Sequence, residues 1–356
     1  MRREKDRTYI AGLEGHGIGC KDDHDNSVIA CIAGVMAAMG EDFSYPYLMG
    51  VSGAAFRVQM RVDPHWCPSA ACAPCGYDCT PGAMAVTGYG LRWIETQREG
   101  KSLDDGVAQA RPAIAESIDR GVPVIFGHDE SALIVGYRTD GHRIVRTYEK
   151  PQDGYDDTDD WSWRTGIIEP QDLPMDRRQA VADSLRRAVT LANTERFGSY
   201  LSGFAALEHW ADALLDDARF DALTKDNWFP IAHGNGYCYP CLWSARVSAE
   251  RYLREVAKEF EEPVASRLLH LADLYRQMHE TLSRTKPEFG CVWDLQPWKL
   301  KSPENWTRRI RQKESDLLRE ALGIERQAIT EIETILPLLD QSSKPRQEAS
   351  RDRDSV

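Results

Sequence analysis

The sequence has no apolar run near the roughly 20 residues that span a bilayer. Its charged start, MRREKDRT, leads into no signal-type apolar core. No membrane association is therefore expected, and a cytoplasmic location is. Positive charge is also in deficit, with 44 Lys and Arg against 56 Asp and Glu, a formal net charge of -12. Nucleic-acid binding normally needs Lys and Arg clustered on one face, so that class is set aside, and neutral or cationic ligands suit the balance better. No internal repeat is visible. The nine cysteines are an odd number, so a closed disulfide set would leave one over. With 42% hydrophobic residues the chain can build a core without staples, and reduced thiols are expected.

What is present points to two domains, since 356 residues exceed the size at which one core usually stops growing. In the first stretch, 25–40, Asn26 or Asp25 can cap a helix whose stripe is Val28, Ile29, Ile32, Val35 and Met36, closed by Gly40. Its nearly all-apolar composition predicts central burial. From 41 to 90, Gly, Pro and Cys predict mostly loop with one strand, AAFRVQM. A helix over 103–120 then leads to PVIFG, ALIVGY and RIVRTY, an antiparallel set with a turn at Asp140-Gly141, and 165–168 can add a strand. Beyond Pro174 the period becomes helical, with helices over 176–195, 203–217, 237–260, 262–284 and 303–339. The reading is α+β: a mixed domain over 1–171, an all-helical domain over 172–341, each with its own core, and a polar, disordered tail over 342–356.

The segments DNSVIACIAGVMAAMG and ESALIVGYRTDGHRIVRTYEKP, in that layout, resemble the papain-like domain of the bacteriocin-leader-peptidase kind. The likeness is greatest to the N-terminal domain of the butirosin biosynthesis protein H family, in which a helical domain follows. The resemblance implies a nucleophilic cysteine at the start of the first buried helix, a histidine opening the strand that ends in Gly-Tyr, and a third polar residue from the next strand. Carried over by counting, these positions hold Ser27, Glu130, and Tyr148 or Glu149, with Asn26 before the nucleophile. A helix N-terminus lowers the pKa of a thiol placed there, whereas a serine needs a proton acceptor as well. Glu130 serves as that base only if desolvation raises its pKa, and His128, two residues earlier, is a substitute. The plainer readings are a helix-capping Ser27 and a solvated Glu130.

Cys67, Cys72, Cys75 and Cys79 give C-x4-C-x2-C-x3-C, but the spacing is not a zinc ribbon and three prolines imply a meandering loop. Free thiols are expected there and no metal, with Cys67 or Cys75 as a displaced nucleophile the alternative. His16, Cys20 and His24 fall among glycines and read as polar loop, and Cys238-x2-Cys241 as packing thiols. The acidic run Asp153 to Asp160 reads as a solvated loop that attracts a cationic ligand. Trp210, Trp228, Trp243, Tyr200, Tyr237 and Tyr252 pack core or line an interdomain cleft.

The resemblance implies an acyl- or aminoacyl-transfer protein of specialised metabolism, acting on an amine-bearing small molecule with an acyl-carrier-type donor. The alternative is a papain-like fold without catalysis that binds a small molecule or a partner. No cofactor is expected in either case.

Overall fold

The computed structural model describes residues 1–19, 24–62, 66–71, 75–96, 103–128, 130–148, 154–171 and 173–342. Glu149, Cys20, Cys72 and Asp153 from the sequence reading, and the tail from 343 on, lie outside the described residues. The chain is α+β, with an antiparallel sheet in its N-terminal region and helices in its C-terminal region.

The strands β1 (Arg2–Arg3) and β2 (Arg7–Tyr9) precede helices α1 (Ser27–Ala38) and α2 (Tyr45–Ser52). Next come β3 (Gln59–Arg61), α3 (Thr80–Met84), β4 (Tyr89–Glu95) and α4 (Leu103–Asp119). The strands β5 (Val124–Gly127), β6 (Ala132–Arg138), β7 (Arg143–Arg146), β8 (Asp156–Thr158) and β9 (Arg164–Pro170) complete the first region. Beyond it lie α5 (Arg177–Asn193), the hairpin β10 (Arg196–Phe197) and β11 (Tyr200–Ser202), α6 (Gly203–Ala213), α7 (Asp217–Asp221), α8 (Trp228–Val256), α9 (Val264–Leu282), α10 (Pro297–Leu300) and α11 (Arg308–Ser342). No helix among the described residues is long and apolar enough to cross a membrane.

The main sheet runs β1-β2-β6-β5-β9-β4, with β7 on the other edge of β6 and β8 beyond it. Successive side chains of a strand point to opposite faces, and the central strands are apolar on both. Ile125, Leu133, Val135, Ile144 and Ile168 lie on one face, in the buried cluster that includes α1. Val124, Ile134, Val145 and Ile167 meet Ile114 and Ile118 of α4 on the other. This sorting fixes the register, because a one-residue slip would exchange the two faces.

The segment 41–90 departs most from expectation. Pro46 in the first turn and Ser44, whose hydroxyl accepts from the Tyr47 N–H at 3.1 Å, start α2 where loop is predicted, and Gly53 ends it at φ 85. The strand expected over AAFRVQM begins with a short 3-10 turn at Ala54–Phe56 and pairs only from Gln59. The unforeseen β4 is a sheet edge, half-exposed, with none of the apolar density that marks the central strands. The acidic run is not all solvated loop: Asp156 and Asp157 lie in β8, and Asp157 accepts from Arg138 at 3.2 Å.

Separate cores for the two regions are expected, and the buried side chains are arranged otherwise. One continuous cluster runs from Val28 of α1 through Tyr252 of α8 to Leu339 of α11. The second region is helical apart from β10 and β11, and β11 pairs across the expected boundary with β3, Leu201 opposite Met60. Gly50 of α2 lies so close to the Tyr252 ring that an added Cβ would come within 2.1 Å of it. Arg246 of α8, fully buried, pairs with Glu325 at 2.9 Å and donates to the Ala55 and Arg57 carbonyls at 2.9 and 3.2 Å. The periodicity change near Pro174 therefore marks a change of structural class inside the cluster that spans both regions, while the smaller cluster under α4 belongs to the first region alone.

Candidate functional site

The site is built on the N-terminus of α1. Asn26 is its N-cap, with Oδ1 accepting from the Ile29 N–H at 3.3 Å, so Asp25 is released from the capping role that either residue could fill. Ser27 opens the helix and is 6% exposed. Its Oγ accepts a hydrogen bond from the Ser131 N–H at 2.9 Å. That bond seats the chain just before β6 against the helix start and so brings Glu130 beside α1.

The Glu130 carboxylate accepts from the Tyr237 hydroxyl of α8, and the Tyr237 and Tyr148 hydroxyls lie 3.3 Å apart. Three elements are thus joined through one polar chain. Burial and then the Glu130 charge push the Cys31 thiol, one turn after Ser27 on α1, well above its ordinary pKa. The same two causes push up the Tyr148 hydroxyl, so it stays protonated and can only donate or accept as a neutral group.

Beside these groups lies a cavity of about 40 Å³, walled by Asp25, Asn26, Tyr45, Arg57, Trp210 and Cys241 among others. At roughly 10–15 Å³ per water-sized probe it has room for about three waters or one ammonium head group. Tyr45 accepts from the Asn26 N–H at 2.9 Å, and burial followed by the Asp25 charge raises its hydroxyl well above its ordinary pKa. Arg57 on the far wall is held by Gln59 Oε1 at 2.7 Å and by the Ala70 and Cys75 carbonyls at 2.7 and 2.9 Å.

Two thiols near the cavity, Cys79 and Cys238, are not poised as nucleophiles. Burial pushes Cys79 up to about 11 and Cys238 up to about 12, so both remain thiols near neutrality. Cys238 and Cys241 fall in the interior of α8, one turn apart, not at its start. Cys75 is not among the cavity walls; it lies with Cys67 beside Tyr200, whose hydroxyl burial raises to about 12. Cys79 instead faces Asn26, whose amide is 4.0 Å from its sulfur. The cysteine-rich loop is therefore spread out, and among the described residues no three His, Cys, Asp or Glu side chains converge as a metal site.

Of the residues singled out in the sequence, Ser27, Asn26, Glu130 and Tyr148 are brought together. His128 is exposed at the end of β5 and stacks on Trp163, ring centroids 4.6 Å apart. Neither His128 nor Glu130 hydrogen-bonds Ser27, whose hydroxyl proton meets no acceptor among the described residues. His24 stacks on Tyr45 at 4.2 Å, and His16 meets the Ala30 carbonyl at 2.8 Å, so both histidines brace the start of α1. Sequence reasoning missed Asp25 as a wall, Tyr45 and Arg57. Their only signal was adjacency to the cap or to a glycine-bounded turn, because burial of a charged side chain is set by partners distant in the chain.

No known family's sequence pattern matches this chain, and no curated protein matches it.

Proposed function

We propose that this protein binds an amine-bearing small molecule, with the ammonium group in the cavity at the α1 N-terminus against Asp25, on a scaffold related to the papain-like fold. The observation that carries the reading is the Asp25 carboxylate, 7% exposed, forming a wall of a small cavity framed by aromatic rings. A carboxylate shielded from solvent attracts a cation more strongly than one in water, and an ammonium supplies both charge and three donors. Aromatic faces such as Trp210 and Tyr45 favour the same ligand. The test is calorimetric titration with small primary amines from ethanolamine to putrescine. Saturable binding is expected, weakened at least tenfold by Asp25→Asn and kept by Ser27→Ala. Absence of binding across the series, or undiminished binding by the Asp25→Asn variant, would sink the reading.

Acyl transfer to the amine is the second reading, favoured by Ser27 at the positive end of a buried helix, where the Ser131 N–H holds the chain next to Glu130 against it. It requires Glu130, or Glu149, to take the Ser27 proton. Thioester consumption in the presence of a bound amine, lost in Ser27→Ala and Glu130→Gln, is the result it demands. Turnover that survives Ser27→Ala would dismiss it.

A further inference from the structure

On the opposite face of the main sheet from α1, between α4 and the β6–β7 hairpin, is a cavity of about 230 Å³. Arg111, Ile114, Tyr137, Arg138, Arg143 and Trp161 are among its walls. Its three guanidinium groups are unequally satisfied. Arg138 is taken up by carboxylates, with Asp6 at 2.8 Å, Asp157 at 3.2 Å and Asp140 at 3.4 Å. Arg143 makes no ion pair among the described residues. It is 3% exposed, donates to the Asp160 backbone carbonyl, and has a buried Nε–H with no acceptor. Arg111, exposed at the rim, donates among the described residues only to the Gly141 carbonyl at 3.3 Å. Both side chains lie over the Trp161 ring, Arg143 at 4.0 Å and Arg111 at 5.4 Å from its centroid.

Two guanidinium groups sharing one indole repel each other, and a buried donor without an acceptor carries an uncompensated desolvation cost. Burial first, and then Arg111, push the Arg143 pKa down to about 10, so it stays charged at neutral pH. Asp159 and Asp160 offset this partly through space but close no ion pair with it. Arg143 and Arg111 are thus the two wall cations on which no carboxylate closes among the described residues. One oxyanion would supply the missing acceptor and the missing counter-charge together, and guanidinium forks suit carboxylate and phosphate oxygens.

We infer that this cavity binds a small organic oxyanion, a carboxylate or phosphate ester whose charged end meets Arg143 and Arg111 and whose apolar part rests on Ile114 and Ala115. The site is separate from the amine cavity and does not depend on that reading. The experiment is calorimetric titration of the full chain at low ionic strength with phenyl phosphate and with benzoate. One-site saturable binding of at least one of them is expected, and the tighter of the two assigns the head group. Arg111→Gln should weaken it at least tenfold and Arg143→Gln abolish it, with melting curves showing that each variant is folded. If the Arg143 variant fails to fold, the exposed Arg111 decides alone. Lack of saturable binding by both anions, or binding unchanged in Arg111→Gln, overturns the inference.

Discussion

Glu314 of α11 illustrates what one buried carboxyl does to the whole protein. It is fully buried, and Asn235 of α8 donates to its Oε1 at 2.7 Å while accepting from the Trp210 indole at 2.7 Å. Burial dominates and raises its pKa from 4.5 to about 8. The folded state therefore prefers the neutral acid. Below pH 4.5 both folded and unfolded chains hold the proton and the group costs nothing. Between 4.5 and about 8 the unfolded chain ionises first, so stability falls as pH rises, and above that range the loss levels off. Glu314→Gln keeps the shape without the charge. Urea unfolding of the variant should show a flatter stability profile between about pH 5 and 8, with a gain on the order of a few kcal/mol at the upper end. An unchanged slope would remove Glu314 as its source. None of this is readable in the sequence, where Glu314 sits in the polar-looking run RQKESD and its burial depends on Asn235, 79 positions earlier.

At the scale of elements, local rules carried α1 and the long helices. The α1 stripe, its Asn26 cap and Gly40 at φ 84 agree with one another, and the helix forms within two residues of the expected span. The main-sheet hairpin is equally legible, since Gly141 takes φ 93 in the Asp-Gly turn. What was illegible depends on tertiary contact: α2 is short, and Gly50, which weakens a free helix, is required because the Tyr252 ring occupies the space of a Cβ. Gly50→Ala should gain helix propensity and still lose about 1–3 kcal/mol through overpacking. Thermal melting of the single variant checks the sign, and a second substitution, Tyr252→Phe, should not rescue it because the clash is with ring carbons. Asn26→Ala should cost about 1 kcal/mol of cap energy. It should also loosen amine binding, because Asn26 is itself a wall of the cavity beside Asp25.

For the whole molecule, the change of hydrophobic period near Pro174 is real, but the buried cluster runs across it. Strand β3 is completed by β11, Arg246 is solvated by the Ala55 and Arg57 carbonyls, and Ser44 donates to Glu255 at 2.7 Å. A fragment of residues 1–171 is therefore expected to be unfolded or molten by near-ultraviolet circular dichroism, and to regain native signal when mixed with 172–356. A sharp cooperative melt of the isolated fragment would contradict this. The start of α1 is legible in the sequence because helix starts are locally encoded. Tyr237 stands there as a candidate for core or cleft, but its partner Glu130, 107 positions earlier, is set by tertiary contact and is not legible.

The pairing of β3 with β11 also has a meaning in time. Synthesis delivers Leu201 roughly 140 residues after its partner Met60, which at about 5–20 residues per second is a delay on the order of 10–30 s. During that interval the nascent chain presents the Gln59–Arg61 edge, the apolar face of α2 around Gly50 and the open cavity beside Asp25 to whatever surrounds the ribosome. Slowing translation between residues 61 and 200 should therefore increase capture of the nascent chain by chaperones more than slowing it beyond Leu339.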